Sequence, residues 1–193
     1  MASHLRHELN LPPGDSVIGM VGRTGTCKGE ENLIRLAKLV LNRVERVDFV
    51  IAGGTFDRRD HLPDDLLHRI DGEPSAGRVI LTGLHDNIAA FMNHFSGLVH
   101  LPNRPEPCGL VITEARAAGR PVVIWDTGAF AETVEHDKTG WVVPNGDFEV
   151  AADCVVTLPT NPAQSARIGE AKTLQADHGF SAGAYAGQFE ALY

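Results

Sequence analysis

Two carboxylates, Glu106 and Glu114, stand eight residues apart in the run Glu106-Pro-Cys-Gly-Leu-Val-Ile-Thr-Glu114. Gly109 lies between them, where a helix is expected to begin. Without a Cβ it lets a ligand approach the backbone, and the N–H groups of Gly109, Leu110 and Val111 would point at anionic oxygens. Glu114 falls more than a turn inside that helix, where its carboxylate suits the paired hydroxyls of a ribose. Glu106, outside the helix, suits the other end of the same ligand. A second group, Gly22-Arg23-Thr-Gly-Thr-Cys-Lys28-Gly29, follows an apolar strand-like run and opens another helix. Its glycines admit an anion to the backbone, and Arg23 and Lys28 add two positive charges, a set that fits a diphosphate. Each group also has a plainer reading: a surface Glu with an N-terminal acid, or a turn with two solvated cations. Together, at the ends of strands, they favour one site for a ligand with an anionic part and a hydroxyl-rich part.

Other phosphate and metal chemistries fit poorly. Gly19, Gly22 and Gly25 give G-x-x-G-x-x-G rather than the G-x-G-x-x-G dinucleotide fingerprint, and the second strand ends in Gly53-Gly54 instead of a ribose-binding acid. A Walker A loop is absent, since Lys28 is followed by Gly29. There is no D-x-D metal motif, and Asp64-Asp65 reads as acid at a helix N-terminus. The nine histidines lack zinc-binding spacing. No cofactor and no essential divalent metal is expected, Arg23 and Lys28 supplying the charge that a metal would bring. The three cysteines, Cys27, Cys108 and Cys154, are too scattered for a disulfide framework and read as reduced thiols of a cytoplasmic protein. Cys108 has no evident His partner, so a pocket-lining thiol is favoured over a nucleophile.

These groups need a scaffold that brings separate loops together. Strands are expected at Val17–Gly22, Asp48–Ala52, Arg78–Thr82, Gly97–Leu101, Val122–Trp125 and Gly140–Val143. Helices are expected at Glu30–Arg46, Pro63–Ile70, Asp86–His94, Leu110–Ala118, Phe130–Glu135 and Phe148–Leu158, with a break from Pro159 to Pro162. Two terminal helices follow, Ala163–His178 and Ala182–Tyr193. Alternating strands and helices with short connections predict an α/β, single Rossmann-like domain: a parallel sheet of about six strands with helices on both faces. Ligands of such sheets sit at the carboxyl ends of the strands, where both groups fall. Residues 1–15 read as a lead-in, 16–178 as the nucleotide-binding domain and 179–193 as a C-terminal helix.

Size and charge agree. A chain of 193 residues makes one ordinary domain with a sizeable core. The net charge of −8 and dispersed basic residues argue against nucleic acid as a partner. No apolar run approaches the roughly 20 residues of a transmembrane segment, and the polar start is no signal peptide.

Several segments carry a resemblance in a fixed order: Val21-Gly-Arg23 with Lys28-Gly29, Val50-Ile-Ala-Gly-Gly54, Val79-Ile-Leu-Thr-Gly83, Glu106 to Ala115, Arg116-Ala-Ala-Gly-Arg-Pro-Val-Val123 and Thr139-Gly-Trp-Val-Val143. In these the chain resembles the C-terminal, donor-binding domain of a GT-B-fold retaining glycosyltransferase of the family 4 type (glycosyl transferases group 1), over roughly Val17 to Tyr193. The resemblance implies a nucleotide-sugar donor of the UDP, GDP or ADP type. Gly22, Arg23, Lys28, Leu110 and Val111 would hold its diphosphate, and Glu106, Cys108 and Gly109 its sugar, with Glu106 the catalytic residue. Glu114 would bind the ribose, and Leu84 and His85 would lie near the nucleobase. The family usually has Phe where Cys108 stands and often a small hydroxyl residue at Asn103, so the sugar end of this pocket differs.

The resemblance also implies an acceptor-binding N-terminal domain, in cis or in trans, towards which the last helix would pack. The expected activity is hexosyl transfer to a hydroxyl acceptor with retention, the isolated domain being inactive without that partner. Any membrane association would come through the missing part. Two alternatives stay open, a non-catalytic nucleotide-sugar binding subunit and one half of a GT-B-like sugar-nucleotide epimerase.

Overall fold

The computed structural model describes residues 6–7, 9–24, 27–54, 77–85, 87–106, 109–129 and 133–170. The expected helices at Pro63–Ile70 and Ala182–Tyr193 lie outside these residues, as do Cys108 and Asp64-Asp65.

Six strands form one sheet: β1 (Ser16–Val21), β2 (Val47–Ala52), β3 (Val79–Gly83), β4 (Gly97–His100), β5 (Val122–Trp125) and β6 (Trp141–Val143). Every neighbouring pair is parallel, and the spatial order is β3-β2-β1-β4-β5-β6. The described helices are α1 (Glu30–Leu41), α2 (Ile88–Met92), α3 (Leu110–Ala117), α4 (Phe148–Thr160) and α5 (Pro162–Glu170).

Successive side chains of a strand point to opposite faces, so a sheet covered on both sides needs apolar residues at every position. The strands meet that requirement at most positions, with Asp48 of β2 and His100 of β4 the fully buried polar exceptions. Ile18, Met20, Phe49, Ile51, Val99, Val123 and Trp125 pack with Leu33, Leu36 and Val40 of α1 and with Ala151, Val155 and Leu158 of α4. The residues between them, Val17, Val21, Val50, Leu98, Val122 and Ile124, pack with Phe91 and Met92 of α2 and Ile112 and Ala115 of α3. Two separate cores on two faces make the domain doubly wound, the Rossmann-like α/β architecture expected. Each fully buried Leu, Ile or Val contributes on the order of 2 kcal/mol.

Some boundaries differ from the sequence expectation. The first helix ends at Leu41 and not at Arg46, because the Arg43 and Val44 N–H groups both turn back to the Val40 carbonyl. Val44 stays partly buried against the core from that turn, which preserves its helical spacing in the sequence. The helix expected to end at Leu158 runs on through Pro159 to Thr160. Pro159 lies in the last turn, where its missing N–H removes a single bond. The break falls at Asn161, whose N–H donates to the Thr157 carbonyl (2.8 Å) while its Oδ1 caps α5 through the Gln164 N–H (3.2 Å). Thr133 to Glu135 are not helical, in contrast to the expected helix at Phe130–Glu135.

The amino-terminal edge of the sheet is closed by charge pairing. Asp15 accepts from Arg46 Nε (3.0 Å) and Arg78 Nη1 (3.1 Å), and Arg78 also meets Asp48 Oδ1 at 3.2 Å. Burial by itself would raise the Asp15 pKa, but the two arginine hydrogen bonds outweigh it and hold the carboxyl below the ordinary aspartate range. The opposite edge is left to the loops.

Candidate functional site

The order 3-2-1-4-5-6 places the topological switch point between β1 and β4. The chain leaving β1 enters α1 over one core, and the chain leaving β4 enters α3 over the other. Their loops therefore diverge and leave a crevice at the carboxyl ends of the two strands. Lys28 comes from the first loop and Glu106 from the second.

Backbone bonds fix both loops. Gly22 N–H donates to the Ala52 carbonyl (3.0 Å), Thr24 N–H to Gly54 (3.0 Å) and Gly53 N–H to Gly83 (2.8 Å), which steps the loop across the ends of β1, β2 and β3. Gly53 has φ 155°, and a Cβ there would fall 1.6 Å from the Gly22 carbonyl oxygen. Asn103 N–H donates to the Cys27 carbonyl (3.0 Å), joining the β1 loop to the β4 loop. Asn32, in the first turn of α1, adds two bonds from Nδ2, to the Leu101 carbonyl and to Asn103 Oδ1, both 2.8 Å. Gly29 caps α1 with φ 88°, and a Cβ there would meet the Leu101 carbonyl oxygen at 2.0 Å. The β1 loop is thus pressed against the β4 strand end, and Lys28 is carried to the crevice.

The crevice holds a cleft of ≈ 260 Å³ lined by Val21, Gly22, Lys28, Glu106, Gly109, Leu110 and Val111. Six of these are residues that the sequence singled out. Lys28 Nζ donates to both oxygens of Glu106, at 2.8 and 2.9 Å. The pair is largely withdrawn from water, the Lys28 side chain 29% exposed and that of Glu106 19%. Beside the cleft α3 begins at Leu110, and its cap residue Gly109 has no side chain to cover the first-turn N–H groups. Leu110 is 68% exposed at that mouth, while Ile112 and Ala115 hold the helix to the core.

The other expected site residues lie around this centre. Glu114 is exposed on α3, just over one turn beyond Leu110. Arg23 is exposed immediately after Gly22 but does not line the cleft. Leu84, 72% exposed, follows β3 and lies beside Gly54, so it reaches the site through the loop ends. His85 stacks on Phe91 of α2, ring centroids 4.1 Å apart, and its Nε2 is buried with no hydrogen-bond partner among the described residues. The structure therefore brings Lys28, Glu106 and the start of α3 together and sets Arg23, Glu114, Leu84 and His85 further out.

Sequence reasoning missed His100. It ends β4, is buried, and places Nε2 3.7 Å from Glu106 Oε2, too long for a direct hydrogen bond. Burial is the main cause that lowers its pKa to about 4; nearby Lys28 adds to the lowering and Glu106 opposes it. At neutral pH the imidazole is uncharged. A histidine at the carboxyl end of an otherwise apolar strand was the available signal. Asn32 was missed too, and no local signal marks it. Among the described residues, no group of three or more His, Cys, Asp or Glu is placed to hold a metal ion. No described helix is long and apolar enough to cross a membrane.

Known proteins agree with this architecture. The family model for glycosyl transferases group 1 matches residues 2–175. An uncharacterized glycosyltransferase of Methanocaldococcus jannaschii is 32% identical over 77% of this chain and 37% of its own length. A D-inositol 3-phosphate glycosyltransferase of Corynebacterium aurimucosum is 29% identical over 100% of this chain and 46% of its own. The chain thus spans less than half the length of these curated relatives. Among solved structures, Anabaena HepE in complex with UDP superposes with a TM-score of 0.88 at 26% identity, covering 99% of this chain and 51% of that one. HepE has also been solved with UDP-glucose, and that structure superposes with a TM-score of 0.87. The sucrose-phosphate synthase of Thermosynechococcus elongatus gives 0.82 at 27% identity, over 99% and 48% of the two chains. These neighbours are GT-B glycosyltransferases, and about half of each corresponds to this doubly wound domain. By fold and by a family match over most of its length, the chain belongs to the glycosyl transferases group 1 family.

Proposed function

We propose that this chain is the donor-binding domain of a retaining glycosyltransferase, taking a nucleoside-diphosphate sugar at the β1–β4 crevice. The observation that carries the reading is the meeting of Lys28, Glu106 and the uncapped start of α3 in one cleft at the switch point. Lys28 and the first-turn N–H groups of α3 bind the diphosphate, with Arg23 closing on it from the rim. Glu106 accepts hydrogen bonds from sugar hydroxyls, and Glu114 from the ribose. Leu84 and His85 border the base. A uridine nucleotide is the first choice of probe, since HepE has been solved with UDP and with UDP-glucose.

The chemistry follows from charge. As the glycosidic bond breaks, negative charge gathers on the departing diphosphate, and Lys28, Arg23 and the α3 N-terminus meet it without a metal. Positive charge gathers at the sugar, where the Glu106 carboxylate stabilises it and fixes the ring for attack from the same face. An acceptor-binding domain, in cis or in trans, supplies the hydroxyl nucleophile, so the domain by itself binds donor without turnover.

Calorimetric titration of the chain with UDP, GDP and ADP tests the site. Lys28→Ala is expected to weaken the preferred nucleotide about tenfold or more, the scale of a lost charge-assisted hydrogen bond. Arg23→Ala is expected to weaken it less, since Arg23 stands on the rim. Unchanged affinity in both variants refutes the phosphate assignment.

A further inference from the structure

The cation that lines the cleft, Lys28, is already paired. Lys28 Nζ binds both Glu106 oxygens at 2.8 and 2.9 Å, and both side chains are mostly shielded from water. An entering diphosphate therefore competes with a carboxylate that Lys28 already holds through two of its three donors. We infer that the Lys28–Glu106 ion pair is a counterion latch that favours a nucleoside diphosphate carrying a sugar over the bare nucleoside diphosphate. This rests on the donor-site reading above and adds a selection step to it.

The selection comes from what happens to Glu106. When the diphosphate takes Lys28, the carboxylate loses its cation in a place that water only partly reaches, and it faces a new anion across the cleft. Among the described residues, the other titratable side chain within 4 Å of it is His100, which is buried and uncharged at neutral pH. A ligand with a sugar restores the balance on both sides, because its phosphate oxygens satisfy Lys28 and its hydroxyls donate to Glu106. A bare nucleoside diphosphate satisfies Lys28 alone and leaves Glu106 as an unsatisfied, repelling neighbour. The same asymmetry acts after transfer: once the sugar has gone, re-formation of the 2.8 Å pair competes with the retained diphosphate and drives its release.

The two carboxylate roles predict an inversion. In Glu106→Gln, Lys28 has no competing anion, so UDP, GDP or ADP should bind about tenfold more tightly than to wild type. The matching UDP-glucose, GDP-mannose or ADP-glucose should bind no more tightly, so the preference for the sugar form collapses. Calorimetry with these three pairs reads both effects on the same protein. Asp126→Asn serves as the charge control, because Asp126 is an exposed acid just after β5 at the same edge of the sheet. It should change bare-nucleotide affinity by less than about twofold, as expected for a solvated and screened charge. Glu106→Ala should repeat the inversion, and a variant that is merely misfolded loses both affinities together. Unchanged or weaker bare-nucleotide binding in folded Glu106 variants, with Lys28→Ala still weakening binding, overturns the latch and leaves the donor site standing. An equal gain in Asp126→Asn overturns it as a general charge effect. If none of the six nucleotides binds wild type or either Glu106 variant, the latch and the donor site fall together.

Discussion

His100 should make the domain sensitive to mild acid, in a pH window set by its burial. Burial, helped by Lys28 and opposed by Glu106, lowers its pKa to about 4 in the folded chain. In the unfolded chain it returns to about 6.5. Between those values the unfolded state binds a proton that the folded state refuses, so folding stability rises with pH through the window. The contribution is intact above the unfolded pKa and is lost as pH falls towards 4. At pH 5 nearly every unfolded molecule carries this proton and few folded ones do. The difference in stability between pH 7 and pH 5 from this group alone is about 2 kcal/mol. The side chain is 2% exposed, so solvent screening takes little from that figure. The test compares urea unfolding of wild type and His100→Gln at both pH values. Substitution shifts absolute stability in its own way, so the quantity to read is the change with pH, where the other titrating groups largely cancel. Wild type should lose about 2 kcal/mol more than the variant on going from pH 7 to pH 5. Equal losses in the two proteins would show that His100 does not sit buried and neutral beside Glu106.

Gly53→Ala should damage the floor of the site. The new Cβ would fall 1.6 Å from the Gly22 carbonyl oxygen at φ 155°, and that obstacle is backbone, which cannot rotate away. A loss of about 3 kcal/mol is expected, seen as a fall in Tm of roughly 10 °C, and an unchanged Tm would contradict the packing of the loop ends. Glu114→Gln should weaken binding of the preferred ribonucleoside diphosphate about tenfold while leaving its 2′,3′-dideoxy analogue unaffected. Equal loss for both ligands would remove Glu114 from the ribose.

The sheet was legible because a strand covered on both faces is apolar at most of its positions. Val122–Trp125 contains nothing else and matches its expected bounds. Helix ends were harder. Val44 keeps the helical spacing of α1 although the chain has already turned, since a partly buried residue after a helix and one inside it leave the same trace in sequence. Pro159 reads as a stop, yet in a last turn it costs one bond, and Leu158 beside it is anchored in the core. At the site, Lys28 and Glu106 were each legible as a type of residue at a strand end. Their bond was not, because it spans 78 positions and exists only through the adjacency of β1 and β4, which tertiary packing decides. His100 was hidden by its surroundings: within Gly97–Leu101 it passes for one more member of an apolar run, and its weight appears only when the Glu106 loop folds over it.

The pairing also bears on how an unliganded anion site holds its shape. Lys28 lies across Gly22, with its stem carbons 3.6 to 3.8 Å from the position of a Gly22 Cβ, and it faces the N-terminal end of α3. A lone cation held there would be repelled by the positive end of the helix dipole and would swing out to water. Glu106 prevents this by neutralising Lys28 through both carboxylate oxygens. It keeps Lys28 folded inward on the loop that Asn103 and Asn32 tie to β4. In the empty site the carboxylate therefore gives Lys28 the negative partner that a ligand phosphate would give it in the filled one. Shortening it by one methylene, as in Glu106→Asp, keeps the charge but gives up the reach needed to hold Lys28 through both oxygens. The geometry of this cleft thus depends on the length of the acid as well as on its charge.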